Sequence, residues 1–361
     1  MNLFNKTRLW VIIMLVFSMC LATCAGASLL DVFVLEHESD ENIVIESIDF
    51  GNGQSKETSK GTNSTSTIKP NSSSKNPSSS SSSSTSTNKN ESNSSSVQVD
   101  IENLAKYITV TKQVGTHSNE NVSIELTEKV FTAGSDKTTY FVVDIKVSSV
   151  EYLKTALASG NKLTSNSTKK VAEMATAQNA VLAINGDGCG QSKRTTGYVV
   201  RNGVTYRSAA RSSSGDTESL VIYGDGSMSI IDERKTSLDS ISNKWQVFSF
   251  GPALIDNGAI AVTEKQEISG QSMADNPRTA IGMVEPLHYV IIVGNGRTSS
   301  SKGLTLYQLA NALAYEGCTV GYNLDGGGSS TLWFKGEIVN YPTTNGRYSE
   351  RAVSDIVYIG A

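Results

Sequence analysis

The sequence predicts an α+β fold, a mixed or largely antiparallel sheet with a few helices packed on it, preceded by a membrane anchor and a disordered tether. Three observations predict it. Stretches rich in β-branched and aromatic residues dominate residues 97–361, and only two segments there have helical periodicity. Each of those helices runs directly into an apolar strand that ends in Asn, Asp and glycine. An N-terminal apolar run and a serine-rich tract supply the anchor and the tether.

Strands are expected over residues 108–111, 122–126, 139–147, 181–185, 197–201, 220–223, 247–250, 279–284, 289–293 and 353–359. The first helix spans 168–178, with Val171, Met174, Ala175 and Gln178 on one face. The second opens at Thr305 with Gln308 three residues on, a capping box, and carries Leu306, Leu309, Ala310 and Leu313 as an apolar stripe before Gly317 stops it. The first helix leads into Ile184-Asn185-Gly186-Asp187-Gly188, the second into Tyr322-Asn323-Leu324-Asp325-Gly326-Gly327-Gly328-Ser329-Ser330. Thr331-Leu332-Trp333-Phe334 then resumes a strand, which a Lys335-Gly336 turn separates from Glu337-Ile338-Val339.

Upstream, residues 1–30 carry Lys6 and Arg8 and then an uncharged apolar run from Leu9. About 20 helical residues cross a bilayer core, and Asp31, Glu36, Glu38, Asp40 and Glu41 follow the run. That charge order predicts a signal anchor, single-pass, with everything after it extracytoplasmic. A signal peptide cleaved after Ala25-Gly26-Ala27, or a lipoprotein signal at Cys24, exports the chain equally well and gives a secreted or lipid-anchored form. Residues 31–50 are a short juxtamembrane segment. Residues 51–96 are mostly Ser, Thr and Asn, too poor in apolar surface to offset their ordering entropy, and so read as a linker with a root-mean-square span of roughly 35 to 40 Å. Residues 97–361 form the folded domain.

Composition removes several functions. A net charge of −4 over 361 residues does not suit a nucleic-acid protein. Four cysteines and three histidines leave no Cys/His metal framework, so neither metal nor cofactor is predicted, although Asp, Asn and carbonyl oxygens are compatible with a divalent cation. Ser329 and Ser330 lack a G-x-S-x-G setting and His288 lies in a strand-like segment, which argues against a serine hydrolase. Phosphate loops of the G-x-G-x-x-G and Walker types are missing.

What remains is oxygen and arginine chemistry. Side chains at i and i+2 of a strand share a face, so Asn185 with Asp187 and Asn323 with Asp325 would converge at one sheet edge if their strands were neighbours. Three consecutive glycines mark a positive φ or a close approach to the main chain, although an isolated Asp-Gly-Gly-Gly fits a capped hairpin as well. Arg278, Arg297 and Arg351 stand in loop settings, and a guanidinium fork binds phosphate through parallel charge-assisted hydrogen bonds.

Taken together, Ala183-Ile184-Asn185-Gly186-Asp187, Phe250-Gly251-Pro252-Ala253-Leu254, Pro277-Arg278-Thr279-Ala280-Ile281-Gly282, Gly296-Arg297 with Gly303-Leu304-Thr305-Leu306, Asn323 to Ser330, and Glu350-Arg351 resemble the phosphodiester glycosidase family, over about residues 97–361. The resemblance implies hydrolysis of a sugar-1-phosphodiester, of the N-acetylglucosamine type, within an envelope or exported glycan. For that chemistry Asp325 is assigned as nucleophile or general base near the anomeric carbon and Asp187 as second carboxylate or substrate-orienting group, in roles that can be exchanged. Arg278, Arg297 and Arg351 would then hold the phosphate, Asn185 and Asn323 the sugar hydroxyls, and the Gly186 and Gly326, Gly327, Gly328 and Ser329 backbone would lie near the substrate. A binding module without turnover, or a phosphodiesterase cleaving the P–O bond, uses the same residues. Two positions depart from the family pattern: Asn295 stands before Gly-Arg where an aspartate is usual, and Gly188-Cys189 stand where aromatic residues are usual. Cys189 and Cys318 fit either a disulfide outside the cell or two buried thiols.

Overall fold

The computed structural model describes residues 104–212, 216–263 and 275–360. The expected anchor, juxtamembrane segment and linker, residues 1–96, lie outside the described residues, and among the described residues no helix is long and apolar enough to cross a membrane.

The largest sheet has eight strands, in the order Ile108–Ser118, Val122–Ala133, Asp136–Val147, His288–Gly294, Arg278–Glu285, Val320–Asn323, Ala253–Asp256 and Ala259–Ile260. A five-stranded sheet runs Glu337–Ile338, Leu332–Phe334, Ala180–Asn185, Asp355–Gly360 and Leu153–Leu157. A second five-stranded sheet runs Val204–Arg207, Val199–Arg201, Lys244–Phe248, Glu218–Tyr223 and Met228–Asp232, and a small hairpin joins Thr343–Thr344 to Arg347–Tyr348. The named strand pairings are antiparallel throughout, which narrows the expected sheet type.

The apolar strands are apolar because they are covered on both faces. In Asp136–Val147, Val143 and Ile145 enter the core between the large sheet and the two five-stranded sheets, while Tyr140 and Val142 enter a second core beneath a helix. That helix, α2 (Leu306–Tyr315), presses Leu306, Leu309, Ala310 and Leu313 onto the large sheet, each such leucine contributing about 1.5 to 3 kcal/mol. Its capping box is formed: Thr305 Oγ1 accepts from the Gln308 amide at 3.1 Å, and Gln308 Oε1 accepts from the Thr305 amide at 2.9 Å. On the far side, α1 (Val171–Ala177) covers Ala183, Trp333, Ile356 and Tyr358 of the five-stranded sheet with Val171, Met174 and Ala175. The layers are therefore helix, sheet, sheet, helix. The start of α1 falls three residues later than the periodicity predicts, because the Lys169 backbone bridges Val353 instead.

The Ala180–Asn185 and Val320–Asn323 strands are not neighbours and lie in different sheets. The site forms where the two sheets meet.

Candidate active site

Both strands leave their sheets at the same seam. The Asp325 amide donates to the Gly186 carbonyl at 3.3 Å, and Asn185 Nδ2 donates to the Asp325 carbonyl at 2.6 Å. Asn185 Oδ1 accepts from Thr279 Oγ1 at 2.8 Å and from the Thr331 amide at 3.3 Å. The Asn185 side chain is fully buried and spent on stitching three strands together, so it does not meet sugar hydroxyls. Asn323 is buried too: its Nδ2 donates to the Gly251 carbonyl at 2.7 Å, while its Oδ1 has no hydrogen-bond partner among the described residues. Burial on both strand faces overrides the shared-face expectation for both asparagines.

Asp187 belongs to a sealed cluster. Arg201 Nη2 donates to Asp187 Oδ1 at 2.7 Å and to Asp355 Oδ2 at 3.0 Å, and all three side chains are at most 2% exposed. The Ser249 amide donates to Asp187 Oδ2 at 2.9 Å and the Cys189 amide to Oδ1 at 3.1 Å, while Arg194 holds the Asp187 carbonyl. Burial alone would raise both carboxyls. The Arg201 and Arg194 charges and the Ser249 amide outweigh it at Asp187, which ends below the ordinary aspartate range; at Asp355 burial and the Asp187 charge win, and its carboxyl ends above that range. Asp187, Cys189 and Asp355 offer ligand atoms within 4.8 Å of one another, but the Arg201 guanidinium already bridges the two carboxylates. Gly186 serves this cluster too, since a Cβ on it would lie 2.2 Å from Asp355 Oδ2.

Asp325 is less deeply set, with a side chain 10% exposed against 1% for Asp187. The Gly326 amide donates to its Oδ1 at 2.9 Å. Its Oδ2 accepts from Ser329 Oγ at 2.7 Å, Arg351 Nη2 at 3.3 Å and Gln191 Nε2 at 3.5 Å. Ser329 is buried and itself accepts from Arg351, at 2.6 Å from Nη2, so it links arginine to carboxylate rather than facing a substrate.

The glycine turn brings the three arginines together. Arg351, with a side chain 45% exposed, also donates to the Gly326 carbonyl at 3.1 Å. Gly327 has φ +61°, and a Cβ there would meet the Arg297 guanidinium at 3.2 Å. A Cβ on Gly328 would touch the Arg351 side chain, and one on Gly326 would reach Arg278 Cδ at 3.9 Å. The glycines therefore admit guanidinium groups more than they offer amides. The Gly326, Gly327 and Ser329 amides are already engaged, by Asp325 Oδ1, the Pro277 carbonyl and the Gly326 carbonyl.

Arg297 is exposed and is steadied by Asn276 Oδ1, which accepts from Nη2 at 2.8 Å. Arg278 is buried, and its Nε donates to the Leu304 carbonyl at 3.1 Å. Burial first, and then the neighbouring Arg297 charge, push its guanidinium down to about 10, with Asp275 offsetting part of the shift. Two cations held this close are stabilised by an anion placed between them. Glu350, just before Arg351, accepts from the Ala172 amide at 3.0 Å and so fastens the Arg351 loop to the start of α1. Burial raises the Glu350 carboxyl, against the lowering effect of the Ala172 and Val171 amides.

Asn295 Oδ1 accepts from the Tyr341 amide at 2.7 Å, a loop-holding contact that needs no base. Cys189 and Cys318 are free and buried, Cys189 beside Leu157 and Val199 and Cys318 beneath α2, so of the two readings the separate thiols hold and the disulfide does not. Sequence reasoning missed Arg201, Asp355, Arg194, Gln191 and Ser249. Arg201 closes the apolar run Tyr198-Val199-Val200, and Asp355 opens the final apolar strand; a charge so placed is a signal that a partner must be buried with it.

Fold and site together define a class: an antiparallel eight-stranded sheet packed against two five-stranded sheets, with a carboxylate at the seam beside arginines. The profile of the phosphodiester glycosidase family matches residues 178–360, half of the chain. The protein therefore belongs to the phosphodiester glycosidase family. It is 29% identical over 191 residues to an uncharacterized SPbeta prophage-derived protein, YomE, of Bacillus subtilis (strain 168), covering 52% of this chain and 29% of that one. It is 29% identical over 117 residues to the mouse (Mus musculus) N-acetylglucosamine-1-phosphodiester alpha-N-acetylglucosaminidase, covering 29% of this chain and 22% of that one. The match thus spans less than a third of the length of either curated relative. The fold is also that of the zebrafish N-acetylglucosamine-1-phosphodiester alpha-N-acetylglucosaminidase catalytic domain, auto-inhibited by its pro-peptide, with a TM-score of 0.55, 20% identity and coverage of 74% of this chain and 94% of that one.

Proposed function

We propose that this protein is an extracytoplasmic hydrolase that cleaves the glycosidic bond of a sugar-1-phosphodiester, releasing free sugar and a phosphomonoester, and that residues 1–30 anchor or export it. One observation carries the reading: the Asp325 carboxylate, its side chain 10% exposed, adjoins a glycine turn that touches Arg278, Arg297 and the half-exposed Arg351. An ordinary glycoside leaves as an alkoxide and needs a strong general acid beside a second carboxylate. A phosphomonoester has a second pKa near 6 and leaves far more readily. The demand moves to cations that receive the departing charge, and three converging guanidiniums meet it. Asp325 acts at the anomeric carbon, as nucleophile or as the base that activates water. The C–O bond breaks, and its electron pair leaves with the phosphate. Asp187 is a positioning residue in this account, because its oxygens are saturated by Arg201, Ser249 and Cys189. Nothing in the role of Asn295 removes a base from Asp325, which favours turnover over a binding-only module.

The test is incubation of the protein with an N-acetylglucosamine-1-phosphodiester in isotopically labelled water, beside Asp325→Asn. The expected result is free sugar carrying the label, with turnover abolished in the variant. Label in the phosphate would replace this reading with P–O cleavage, and near-normal turnover by a folded Asp325→Asn would remove Asp325 from the chemistry.

A further inference from the structure

Asp325 is set below the surface, its side chain 10% exposed, so a ligand meets it only where one of its neighbours gives way. The four groups that hold its carboxylate differ in how firmly they are held themselves. The Gly326 amide is main chain. Ser329 is buried and bonded to Arg351, and Arg351 also grips the Gly326 carbonyl. Gln191 is exposed, and its side chain makes one hydrogen bond among the described residues, from Nε2 to Asp325 Oδ2 at 3.5 Å. That is the longest of the four bonds and lies at the outer edge of useful geometry.

The main chain around Gln191 is fastened while its side chain is not. The Gln191 amide donates to the Gly188 carbonyl at 3.1 Å, the Gly190 amide to Ser354 Oγ at 3.1 Å and the Ser192 amide to Asn166 Oδ1 at 3.2 Å. From this fixed base the amide end of Gln191 comes to rest against Gly188. A Cβ on Gly188 would lie 2.6 Å from Gln191 Nε2 and 3.5 Å from Asp325 Oδ2. Glycine at 188, where aromatic residues are usual, therefore makes the space through which Gln191 reaches the carboxylate.

We propose that Gln191 is the gate of the site: at rest its amide covers Asp325 Oδ2, and the group that reacts there takes the space its side chain vacates on swinging outward. The inference rests on Asp325 as the reacting carboxylate and adds how that carboxylate is reached. No loop has to move, since an exposed side chain changes rotamer within nanoseconds on a fixed backbone. Asp325 keeps its orientation when Gln191 leaves, because Gly326, Ser329 and Arg351 stay on it. The departing N–H also takes one stabilising donor from the carboxylate, which leaves the oxygen more basic. The freed amide is solvated on the exposed side. Residue 191 thereby sets what reaches Asp325, and a shorter side chain there leaves the carboxylate open.

The experiment is carbodiimide activation of carboxyl groups in the full-length protein with glycinamide as the trapping amine, the labelled positions being identified by peptide mass spectrometry. Wild type is compared with Gln191→Ala and Gln191→Asn, both too short to cover Asp325. Each variant is expected to label Asp325 about fivefold faster than wild type, the population change brought by one modest hydrogen bond. Asp187 and Asp355, at most 1% exposed, should stay protected in all three proteins and so report that the opening is local. The proposal is overturned if Asp325 labels no faster in the variants, whether at the wild-type rate, more slowly or in none of the proteins. It is equally overturned if Asp187 and Asp355 become labelled along with Asp325, because Gln191 would then brace the loop rather than cover the carboxylate. Labelling requires no turnover, so an inactive enzyme leaves the test standing, and its failure leaves the Asp325→Asn experiment untouched.

Discussion

Two acid and arginine clusters lie a few residues apart along the same seam, and they do opposite things. Asp187, Arg201 and Asp355 are sealed at 2% exposure or less, with one guanidinium shared by two carboxylates. In the second cluster Asp325 and Ser329 are buried but Arg351, which bonds both, has a side chain 45% exposed, and the Asp325 side chain itself is 10% exposed. The same residue types thus make a structural brace in one place and an approachable carboxylate in the other. Solvent access separates them, because charge removed from water must be matched inside the protein, whereas charge at an open rim is available to a ligand.

The comparison predicts which cluster fails in which assay. The largest effect is expected at Asp325→Asn, a loss of about 10³-fold or more in turnover, equivalent to about 4 kcal/mol of barrier, with a urea midpoint close to wild type. Coincident loss of stability would make Asp325 a brace as well. Arg201→Met should do the reverse and cost about 3 to 5 kcal/mol in urea unfolding, because it strands two buried carboxylates.

Asp187→Asn sharpens the contrast through pH. The folded carboxyl lies below its ordinary value of 3.8, so its stabilising contribution is present above that value and is lost as pH falls through the lower folded one. Wild type should exceed the variant by about 3 kcal/mol at neutral pH, and the gap should narrow on acidification in urea melts taken at descending pH. A gap that widens would contradict the pairing with Arg201.

Smaller effects belong to the open cluster. Arg351→Lys exchanges a multi-donor fork for a point charge and should lower kcat/KM about 10- to 100-fold while leaving thermal stability nearly unchanged. Glu350→Gln keeps the shape but weakens the anchor on α1, and should cost about 0.5 to 1 kcal/mol in thermal unfolding.

The open cluster was largely legible in the sequence and the sealed one was not. Asp325, the glycine turn and the three arginines announce themselves locally, as a strand ending in a carboxylate, a run of φ-permissive residues and cations beside loops. The capping box of α2 is read from Thr305 and Gln308 for the same reason. Asn185, Asn323 and Asp187 lie deeper than the sequence suggests, because an alternation rule places side chains on a face without saying whether another layer covers that face. Here α1, α2 and the opposing sheets cover both. Arg201 follows Asp187 by 14 residues but belongs to another sheet, Asp355 stands far from both in sequence, and only the packing of sheets brings them to one point. The split of the two Asn-x-Asp strands between sheets was equally invisible, since each helix and strand unit looks self-contained along the chain.

That split turns assembly into a checkpoint. The amide of Asp325, at the end of a strand of one sheet, is hydrogen-bonded to Gly186, at the end of a strand of the other, and its carbonyl accepts from Asn185 of that second sheet. Neither sheet alone contains the arrangement. The bonds that seat Asp325 therefore exist only where both sheets are formed and joined, so a substitution that loosens either sheet is transmitted to the proposed catalytic carboxylate.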